Sequence, residues 1–358
     1  MSESIRVGIA GANWGRRHAA AFKEIAGVSL TAVADRDEEA RTAMVNTFGI
    51  DNAYISYEEM MESGTLDAVV ICLPTYRHQR ATCSAFDAGL HVLCESPPGI
   101  NQSEMSRIVS AAGFCGKTYM WARHQRFAPE LQIARELIAT GALGDVYRGE
   151  ATGHRAWWPF DDDNWRGNKE TGGGALLDLG IHLIDNIWFA MGCPDPMEAM
   201  ASSHNLFLKE RLSDPSEAAE DSIFGTARLK DGSSLSLSAM TFGHVDGPKG
   251  ETEAPEQNSL HIFGTKASLD LIAATKTQSN QPDSLTESYA TPIATGDLFV
   301  AQAQEFIDAI REEREPLNSG QEGLALMKLL DALAKSAKEK KSIPIKIARS
   351  LEDLFGGL

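Results

Sequence analysis

The sequence predicts an α/β protein of two domains: a doubly wound parallel sheet, followed by an α/β domain with an open, mainly antiparallel sheet. Three observations lead to this fold class. The chain has 358 residues, which is long for one hydrophobic core and suits two. Up to residue 122, short β-rich runs alternate with segments of helical periodicity. After Pro129, strands follow one another with few helices between them.

The first domain is predicted over residues 1–122. Its strand-like runs are nearly continuous in apolar residues, which is typical of parallel strands buried on both faces. Right-handed crossover connections then give a doubly wound sheet. The predicted strands are 5–10, 29–34, 68–73, 91–94 and 118–121, and the predicted helices are 16–25, 38–48, 57–62, 77–88 and 103–112.

The second domain is predicted over residues 123–358, and a C-terminal segment of it is expected to pack back on the first domain. Its strands are predicted at 146–153, 222–229, 233–241, 259–264 and 267–271, in an antiparallel arrangement. Its helices are predicted at 130–140, 175–191, 297–313 and 320–340. The segment 342–348 is expected to add a strand, and 213–221 and 244–258 to be mobile loops.

Composition excludes several classes of partner. A net charge of −17 argues against nucleic acid and anionic membranes, because both require a basic surface. The N-terminus lacks an apolar core of signal-peptide length, and the apolar segment 175–191 is interrupted by charged residues, so no membrane partner is predicted. Five cysteines, an odd number without CxxC spacing, indicate a cytoplasmic protein without structural disulfides or a zinc site.

The turn after the first strand has the composition of a phosphate-binding loop. The strand 5–10 runs directly into Gly11-Ala12-Asn13-Trp14-Gly15 and then a helix. Glycines let a backbone approach a pyrophosphate, and a helix N-terminus supplies N–H groups and a positive dipole. The GxGxxG template nevertheless finds Ala10 and Ala12 where glycines belong, so the loop alone is equally compatible with a plain tight turn.

Asp35 strengthens the interpretation as a dinucleotide site. It ends the second predicted strand, twenty residues after Gly15, where a carboxylate accepts hydrogen bonds from a ribose. Alternatively it caps the helix 38–48, although Asp37 could fill that role. The order of strand, glycines, helix, strand and Asp favours dinucleotide binding. Asp35 favours NAD because a carboxylate repels a 2′-phosphate, whereas Arg36 beside it is compatible with NADP.

Further motifs carry a family resemblance that spans nearly the whole chain. They are Leu73-Pro-Thr-Tyr-Arg-His78, Ala88-Gly-Leu-His-Val-Leu-Cys-Glu-Ser-Pro97, Arg126-Phe-Ala-Pro129, Leu143-Gly-Asp-Val146 and Gly172-Gly-Gly-Ala-Leu-Leu-Asp178-Leu-Gly-Ile-His182. In this order they resemble the glucose–fructose oxidoreductase / inositol dehydrogenase family (Gfo/Idh/MocA). The resemblance implies a Rossmann domain joined to an α/β domain whose open sheet often mediates oligomerisation, as a homodimer or homotetramer. It also implies NAD(P)-dependent oxidation or reduction of a sugar, a polyol or a related hydroxy compound.

The resemblance also implies roles for individual residues. It places the phosphate turn at Gly11, Asn13, Trp14 and Gly15 and the ribose position at Asp35. The loop along the nicotinamide side of the cofactor falls on Pro74, Thr75 and His78. The Glu-Lys-Pro motif, whose proline is often cis, falls on Glu95 and Pro97. Where that motif has lysine, this sequence has Ser96. A serine hydroxyl is short, uncharged and not a base near neutral pH, so it cannot carry the proton that the family's lysine carries.

Two histidines are candidates for that proton. Asp178 and His182 match the family's paired catalytic positions, and their four-residue spacing places them on one face of a helix. His182 can accept a hydroxyl proton, since histidine titrates near neutral pH, while Asp178 orients it or binds a substrate hydroxyl. The alternative is a buried Asp–His pair that only fixes the helix. His124 follows the last strand of the first domain and either replaces the lysine or is a surface histidine at the domain junction.

The segment from Arg155 to Arg166 is rich in aromatic and charged residues. Tryptophan stacks on the C–H faces of sugar rings, and flanking polar groups bind hydroxyls, so Arg155, Trp157 and Trp165 are candidate substrate ligands. A subunit contact is the alternative. Lys169 is a further candidate cation or a mobile loop lysine. Three consecutive aspartates at 161–163 point in different directions and predict no metal site.

Three functions are therefore open from the sequence. The first is an NAD(P)-dependent dehydrogenase or reductase acting on CH–OH groups of a carbohydrate-like small molecule. The second is a lyase or glycosidase that uses bound NAD transiently. The third is a non-catalytic protein that senses a dinucleotide or a sugar. Retention of Asp178 and His182 favours the first two, and loss of the lysine favours the third.

Overall fold

The computed structural model describes residues 4–157, 164–248, 254–280, 283–290 and 296–346. In chain order the strands are β1 (Ile5–Ala10), β2 (Val28–Ala34), β3 (Asn52–Tyr54), β4 (Ala68–Ile71), β5 (His91–Cys94), β6 (Tyr119–Trp121), β7 (Val146–Arg155), β8 (Pro196–His204), β9 (Ser222–Leu229), β10 (Ser234–Met240), β11 (Glu256–Gly264), β12 (Ser268–Asp270), β13 (Thr275–Asn280), β14 (Asp283–Ser288) and β15 (Ile343–Pro344). The α-helices are α1 (Ala12–Lys23), α2 (Glu38–Phe48), α3 (Tyr57–Glu62), α4 (His78–Asp87), α5 (Gln102–Cys115), α6 (Pro129–Ala139), α7 (Ile181–Ala190), α8 (Leu298–Arg311) and α9 (Gly320–Glu339).

The chain divides into two compact units. The first comprises Met1–Ala128 and Ile293–Leu324, and the second comprises Pro129–Pro292 and Ala325–Leu358. In the first unit a six-stranded parallel sheet has the order β3-β2-β1-β4-β5-β6. This order reverses at β1 and β4, where the carboxyl ends of strands in doubly wound folds bind ligands. The predicted doubly wound parallel sheet is confirmed.

Apolar side chains on both faces of the sheet form the core of the first unit. Val7 and Ile9 of β1 are fully buried. On one side α1 packs against α8, where the Phe22 and Phe306 rings meet edge to face with centroids 6.3 Å apart. Ser319 bridges to Met120 of β6, so a late part of the chain extends the first unit.

The second unit is built on a nine-stranded sheet of order β14-β13-β12-β11-β7-β10-β9-β8-β15. Its neighbours are antiparallel except for β7 and β10, which run parallel. Gly149 and Gly153 on β7 bring α7 close, because a Cβ at either position would overlap Ile187 or Leu183. The predicted open, mainly antiparallel sheet is confirmed.

Several predicted boundaries were wrong. Helix α1 begins at Ala12 rather than residue 16, because Gly11 takes a positive φ of 99° and the chain turns into the helix at once. Strands β3, β8, β13 and β14 were missed, since β3 has three residues and the others alternate weakly between apolar and polar side chains. Residues 256–258, predicted as loop, belong to β11.

The helix predicted at 175–191 begins as a π-helix over Leu176–Gly180 and continues as α7. The tail strand is present as β15 on β8. No described helix is long and apolar enough to cross a membrane. Among the described residues, no group of three His, Cys, Asp or Glu side chains is placed to hold a metal ion. Asp161, Asp162 and Asp163 lie outside the described residues.

Candidate functional site

The turn between β1 and α1 has the backbone of a phosphate site. Gly11 adopts a φ of 99°, and a Cβ there would lie 2.5 Å from the Cys72 carbonyl oxygen. At Gly15 a Cβ would lie 2.5 Å from Ile9 Cγ2, so this glycine allows α1 to pack closely on β1. Within the described chain no capping side chain at Gly11 closes the helix N-terminus. The N–H groups of Asn13 and Trp14 therefore fit a dinucleotide pyrophosphate.

Asp35 connects this turn to the end of β2. Its Oδ2 accepts a hydrogen bond from the Ala12 N–H at 2.6 Å, and its Oδ1 accepts one from the Asp37 N–H at 2.9 Å. Asp37 caps α2 by accepting from the N–H groups of Glu39 and Ala40. The capping role therefore belongs to Asp37. Asp35 is half-buried beside this turn, and Arg36 is exposed.

Glu95 is the centre of a hydrogen-bond cluster at the end of β5. Its Oε1 accepts from Trp14 Nε1 at 2.8 Å and from His18 Nε2 at 2.6 Å, and its Oε2 accepts from the Ser96 N–H at 3.0 Å. Burial raises the pKa of this carboxyl, but the His18 hydrogen bond and charge and the two further donors outweigh it and lower the pKa to about 2. Glu95 is thus an ionised anchor between α1 and β5.

His18 was missed by the sequence reasoning. It lies three residues after Gly15 and is fully buried on α1. Its Nδ1 is also buried and has no hydrogen-bond partner among the described residues. A histidine on the otherwise apolar inner face of a helix was the available signal, and its carboxylate partner is 77 residues away in sequence.

His78 holds the predicted nicotinamide-side loop. Its Nδ1 lies 2.7 Å from the Pro97 carbonyl oxygen and its Nε2 lies 2.6 Å from that of Leu73. Burial lowers the pKa of this imidazole although both carbonyls favour the charged form. Thr75 is buried and Pro74 half-buried in the same loop. The His78 side chain therefore joins this loop to the Ser96–Pro97 bond, which is cis.

Ser96 is the residue that the sequence analysis matched to the lysine of the Glu-Lys-Pro motif. Its Oγ is buried and has no hydrogen-bond partner in the described part of the chain. The hydroxyl does not contact the Glu95 carboxylate, which receives the Ser96 backbone N–H instead. The side chain at this position thus contributes neither charge nor a proton relay.

His124 belongs to an aromatic cluster in the first unit. It begins a 3₁₀ helix, and its ring stacks on Phe299 with centroids 4.3 Å apart and planes at 21°. Phe299 also meets His18 edge to face at 5.2 Å. The Arg17 guanidinium carbon lies 4.3 Å from the centroid of the Trp14 ring. His124 is therefore grouped with the side chains that surround Glu95.

Asp178 is the centre of an ion-pair network in the second unit. Arg155 Nη1 lies 2.8 Å from its Oδ2, and Arg166 Nε lies 3.2 Å from its Oδ1. Arg155 also donates from Nε to Glu256 at 3.0 Å. Burial lowers the pKa of Arg155, but the two carboxylates outweigh it and raise the pKa. The Asp178 carboxylate is held by two guanidinium groups.

The other predicted residues of the second unit differ in exposure. His182 is half-buried in the first turn of α7, on the helical run that carries Asp178. Arg155, a predicted substrate ligand, is buried in the ion-pair network. Trp157 is 50% exposed, and Trp165 stacks under the Arg166 guanidinium at 4.3 Å. Lys169 donates to the Ser216 carbonyl oxygen at 2.7 Å and is exposed.

Glu220 is a second residue that the sequence reasoning missed. Its Oε1 accepts the Leu176 N–H at 2.9 Å, where the helical run of Asp178 begins. A Cβ on Gly174 would lie 2.5 Å from the same oxygen, so the absence of a side chain at Gly174 leaves room for the Glu220 carboxyl. Burial, and to a lesser extent the charge of Asp221, raise the pKa of Glu220 to about 7 although two backbone hydrogen bonds lower it. This carboxyl can exchange a proton near neutral pH.

Two family models match the chain. The oxidoreductase family model for an NAD-binding Rossmann fold matches residues 5–122, and the model for its C-terminal α/β domain matches residues 135–347. The chain belongs to the Gfo/Idh/MocA oxidoreductase family. The predicted family, the Rossmann domain and the NAD cofactor are thereby confirmed.

Individual relatives match over most of their length. The chain is 27% identical to the D-glucoside 3-dehydrogenase of Escherichia coli over 94% of this chain and 96% of that protein. It is 28% identical to D-xylose 1-dehydrogenase (NADP(+)) 2 of Haloferax volcanii over 88% of this chain and 91% of that one. A solved levoglucosan dehydrogenase in complex with NADH shares the fold, with a TM-score of 0.84, 19% identity and coverage of 97% and 100%.

Proposed function

We propose that this Gfo/Idh/MocA protein transfers hydride between a nicotinamide cofactor and a CH–OH group of a sugar, polyol or related hydroxy compound. The ion-paired Asp178 on one helical run with His182 is the observation that carries the proposal, because it combines a fixed negative charge with a titratable base. The names of the relatives, which are dehydrogenases and reductases of sugars, support the same reaction class. They do not favour a lyase, a glycosidase or a sensor.

Each unit would contribute a separate part of the chemistry. NAD, when bound, accepts the hydride from the carbon that carries the hydroxyl. In the first unit the Gly11–Gly15 turn binds the phosphates, Asp35 the ribose, and the loop of Pro74, Thr75 and His78 the nicotinamide side. In the second unit His182 takes the hydroxyl proton and Asp178 binds a substrate hydroxyl. His124 is the candidate base of the first unit.

The substrate-binding group would come from the segment around the Asp178 network. Trp157 offers an exposed ring face for the C–H face of a sugar. Arg166 lies between Asp178 and the Trp165 ring, so its guanidinium can reach substrate oxygens while it stays paired. Arg155 acts indirectly, as a buried residue that positions Asp178, and Lys169 is held at a loop carbonyl.

We also propose NAD as the preferred cofactor, with NADP admitted more weakly. Both Asp35 oxygens already accept backbone N–H groups, which fixes the carboxylate at the ribose position. A 2′-phosphate there would meet a negative charge at close range. Exposed Arg36 offsets part of that repulsion.

The open face of the nine-stranded sheet supports a homodimer or homotetramer. Side chains on this face include Ser234, Ser236 and Ser238 of β10 and Thr226 of β9, opposite the face that α7 covers. A polar sheet face of this kind can be covered by a second copy about a two-fold axis. None of the five cysteines forms a disulfide, which supports a reducing, cytoplasmic location.

The test is turnover with a defined panel. Purified protein is mixed with NAD or NADP and with sugars, inositols, glycosides and sugar acids, while nicotinamide absorbance and substrate loss are followed. Net reduction of the cofactor supports the proposal. Substrate loss without net reduction would instead identify transient oxidation, and tight cofactor binding without any turnover would identify a sensor. Replacing His182 and His124 separately by Ala tests the base, which is misassigned if both variants keep the full rate.

A further inference from the structure

Strand topology gathers three loops of the second unit at one end of its sheet. Strands β7 and β10 are parallel and end together, with His154 opposite Met240. At this end β8 finishes and β9 begins, with His204 opposite Ser222, and β11 begins opposite Arg155. The chain therefore leaves β7, β8 and β10 at the same end of the sheet, which holds Arg155 and, through it, Asp178.

An aromatic cluster lies on two of these loops. The rings of Phe207, after β8, and Phe242, after β10, stack with centroids 5.1 Å apart and planes at 27°. The His244 ring meets Phe207 edge to face at 6.0 Å, and the Arg211 guanidinium lies 5.9 Å from the Phe242 centroid. Phe207 is 37% exposed although it is a large apolar residue. An exposed ring backed by a second, half-buried ring, with polar groups at its edge, is typical of a carbohydrate-stacking surface.

Buried polar contacts fix the cluster in place. The Asp221 carboxylate is buried, and its Oδ2 accepts the N–H groups of Leu206 and Phe207, both at 2.6 Å, and that of Leu208 at 3.3 Å. Thr241, directly before Phe242, donates its N–H and its hydroxyl to the Asp221 carbonyl oxygen at 2.9 and 3.1 Å. One residue therefore anchors both ring-bearing loops. This pre-organisation reduces the entropy lost when a ligand binds.

Backbone geometry points to a role beyond packing. His244 has a φ of 48°, in the left-handed region that non-glycine residues rarely adopt, and its side chain is exposed. Backbone strain of this kind, in which a non-glycine residue is kept at a positive φ, is common at binding sites. The cluster also lies next to Arg155, the buried partner of Asp178, since the Gly243 N–H donates to the Arg155 carbonyl oxygen at 2.7 Å.

We propose that Phe207, Phe242 and His244 form a subsite for the second ring of a glycoside, so that the substrates are disaccharide-like compounds rather than free monosaccharides. This inference rests on the proposed function of the Asp178 and His182 site. The second sugar ring places its C–H face on Phe207, and Arg211 and the His244 imidazole bind its hydroxyls. The reacting ring then lies on the side of Arg155 and Asp178.

The test compares a disaccharide with the methyl glycoside of the same reacting sugar. Wild-type protein is expected to show a higher kcat/KM for the disaccharide. In Phe207→Ser and, separately, Phe242→Leu, the ratio of the two kcat/KM values is expected to fall at least about fivefold, which corresponds to about 1 kcal/mol. Phe114→Ser is the matched control, because Phe114 is a 93% exposed phenylalanine in the first unit, and its ratio should not change.

Other outcomes separate this inference from the proposed function. Direct binding of both sugars to the NAD-loaded protein is measured by calorimetry in parallel. If no sugar is oxidised but the disaccharide binds more weakly to Phe207→Ser, the proposed function fails and the subsite stands. An unchanged ratio and unchanged binding in both ring variants would overturn the subsite. Loss of an oligomer in Phe207→Ser with an unchanged ratio would overturn it too and assign the rings to a contact between copies of the chain.

Discussion

Replacing Glu95 by Gln should destabilise the first unit strongly and in a pH-dependent way. The change keeps an acceptor oxygen but removes the charge that receives hydrogen bonds from Trp14, His18 and the Ser96 N–H. The pKa of Glu95 falls from 4.5 to about 2, a shift of about 2.5, and at 1.36 kcal/mol per unit this corresponds to about 3 kcal/mol. A loss of this size is expected when a buried pair is broken.

The sign of the pH dependence follows from the direction of the shift. A lowered carboxyl pKa contributes stability that is fully present above about 4.5 and is lost as the pH falls through about 2. The difference between wild type and Glu95→Gln should therefore be about 3 kcal/mol at pH 7 and should shrink steadily between pH 4.5 and 2.

Urea denaturation followed by tryptophan fluorescence measures this difference, since Trp14 is itself a partner of Glu95. Asp67→Asn is the control, because Asp67 pairs with Arg6 at the surface with 39% of its side chain exposed. Exposed pairs contribute roughly 0.2–1 kcal/mol. A loss in Glu95→Gln no larger than that of the control at pH 7 would refute the assignment of Glu95 as an ionised anchor.

Three further predictions concern the other charged groups. Glu220→Gln should stabilise the protein by up to about 3 kcal/mol at pH 8 but not at pH 4.5, because the pKa raised to about 7 makes ionisation of Glu220 costly in the folded state. Urea titrations at both pH values check this, and a variant no more stable than wild type at pH 8 would contradict it. Asp178→Asn should lower kcat about 100-fold or more, since it removes the charge between Arg155 and Arg166. Steady-state kinetics on a folded variant measure kcat, and a change under threefold would contradict a role of Asp178 in catalysis. Asp35→Asn should shift the NADP-to-NAD affinity ratio about tenfold towards NADP by removing the repulsion of a 2′-phosphate, as fluorescence titration with each cofactor would show.

The sheet of the first unit was predictable because its strands are buried on both faces. β4 is apolar throughout and β1 is apolar from Val7 onward, and helical periodicity separates the two strands, so one arrangement satisfies both patterns. The second unit was less predictable. Strands β13 and β14 consist largely of polar residues at one edge of the sheet, and polar alternation is a weak signal.

The partners of the site residues could not be read from the sequence. Asp178 pairs with Arg155 across 23 residues, because β7 ends beside the start of the helical run. The sequence left Asp178 either to orient His182 or to bind a substrate hydroxyl, and it did not indicate the guanidinium partners, since local spacing suggests helical neighbours and gives no information about strand ends. His18 and Glu95 are joined in the same way by the order of β1, β4 and β5.

These contacts bear on which groups could accept the substrate proton in the proposed reaction. Glu95 cannot, because a carboxyl with a pKa of about 2 does not hold a proton at neutral pH. His78 is buried and both of its ring nitrogens face carbonyl oxygens, so neither nitrogen is accessible to a substrate. Ser96 has neither charge nor basicity.

Asp178 is removed from the candidates by its own partners. Arg155 contacts its Oδ2 and Arg166 its Oδ1, so both carboxylate oxygens are engaged, and Asp178 is placed to orient a hydroxyl rather than to take a proton. We therefore expect the proton to pass to His182 in the second unit, with His124 as the alternative in the first. If His182 is the base, His182→Ala should remove the acidic limb of the pH profile of kcat/KM while His124→Ala keeps it, and the reverse pattern would place the proton in the first unit.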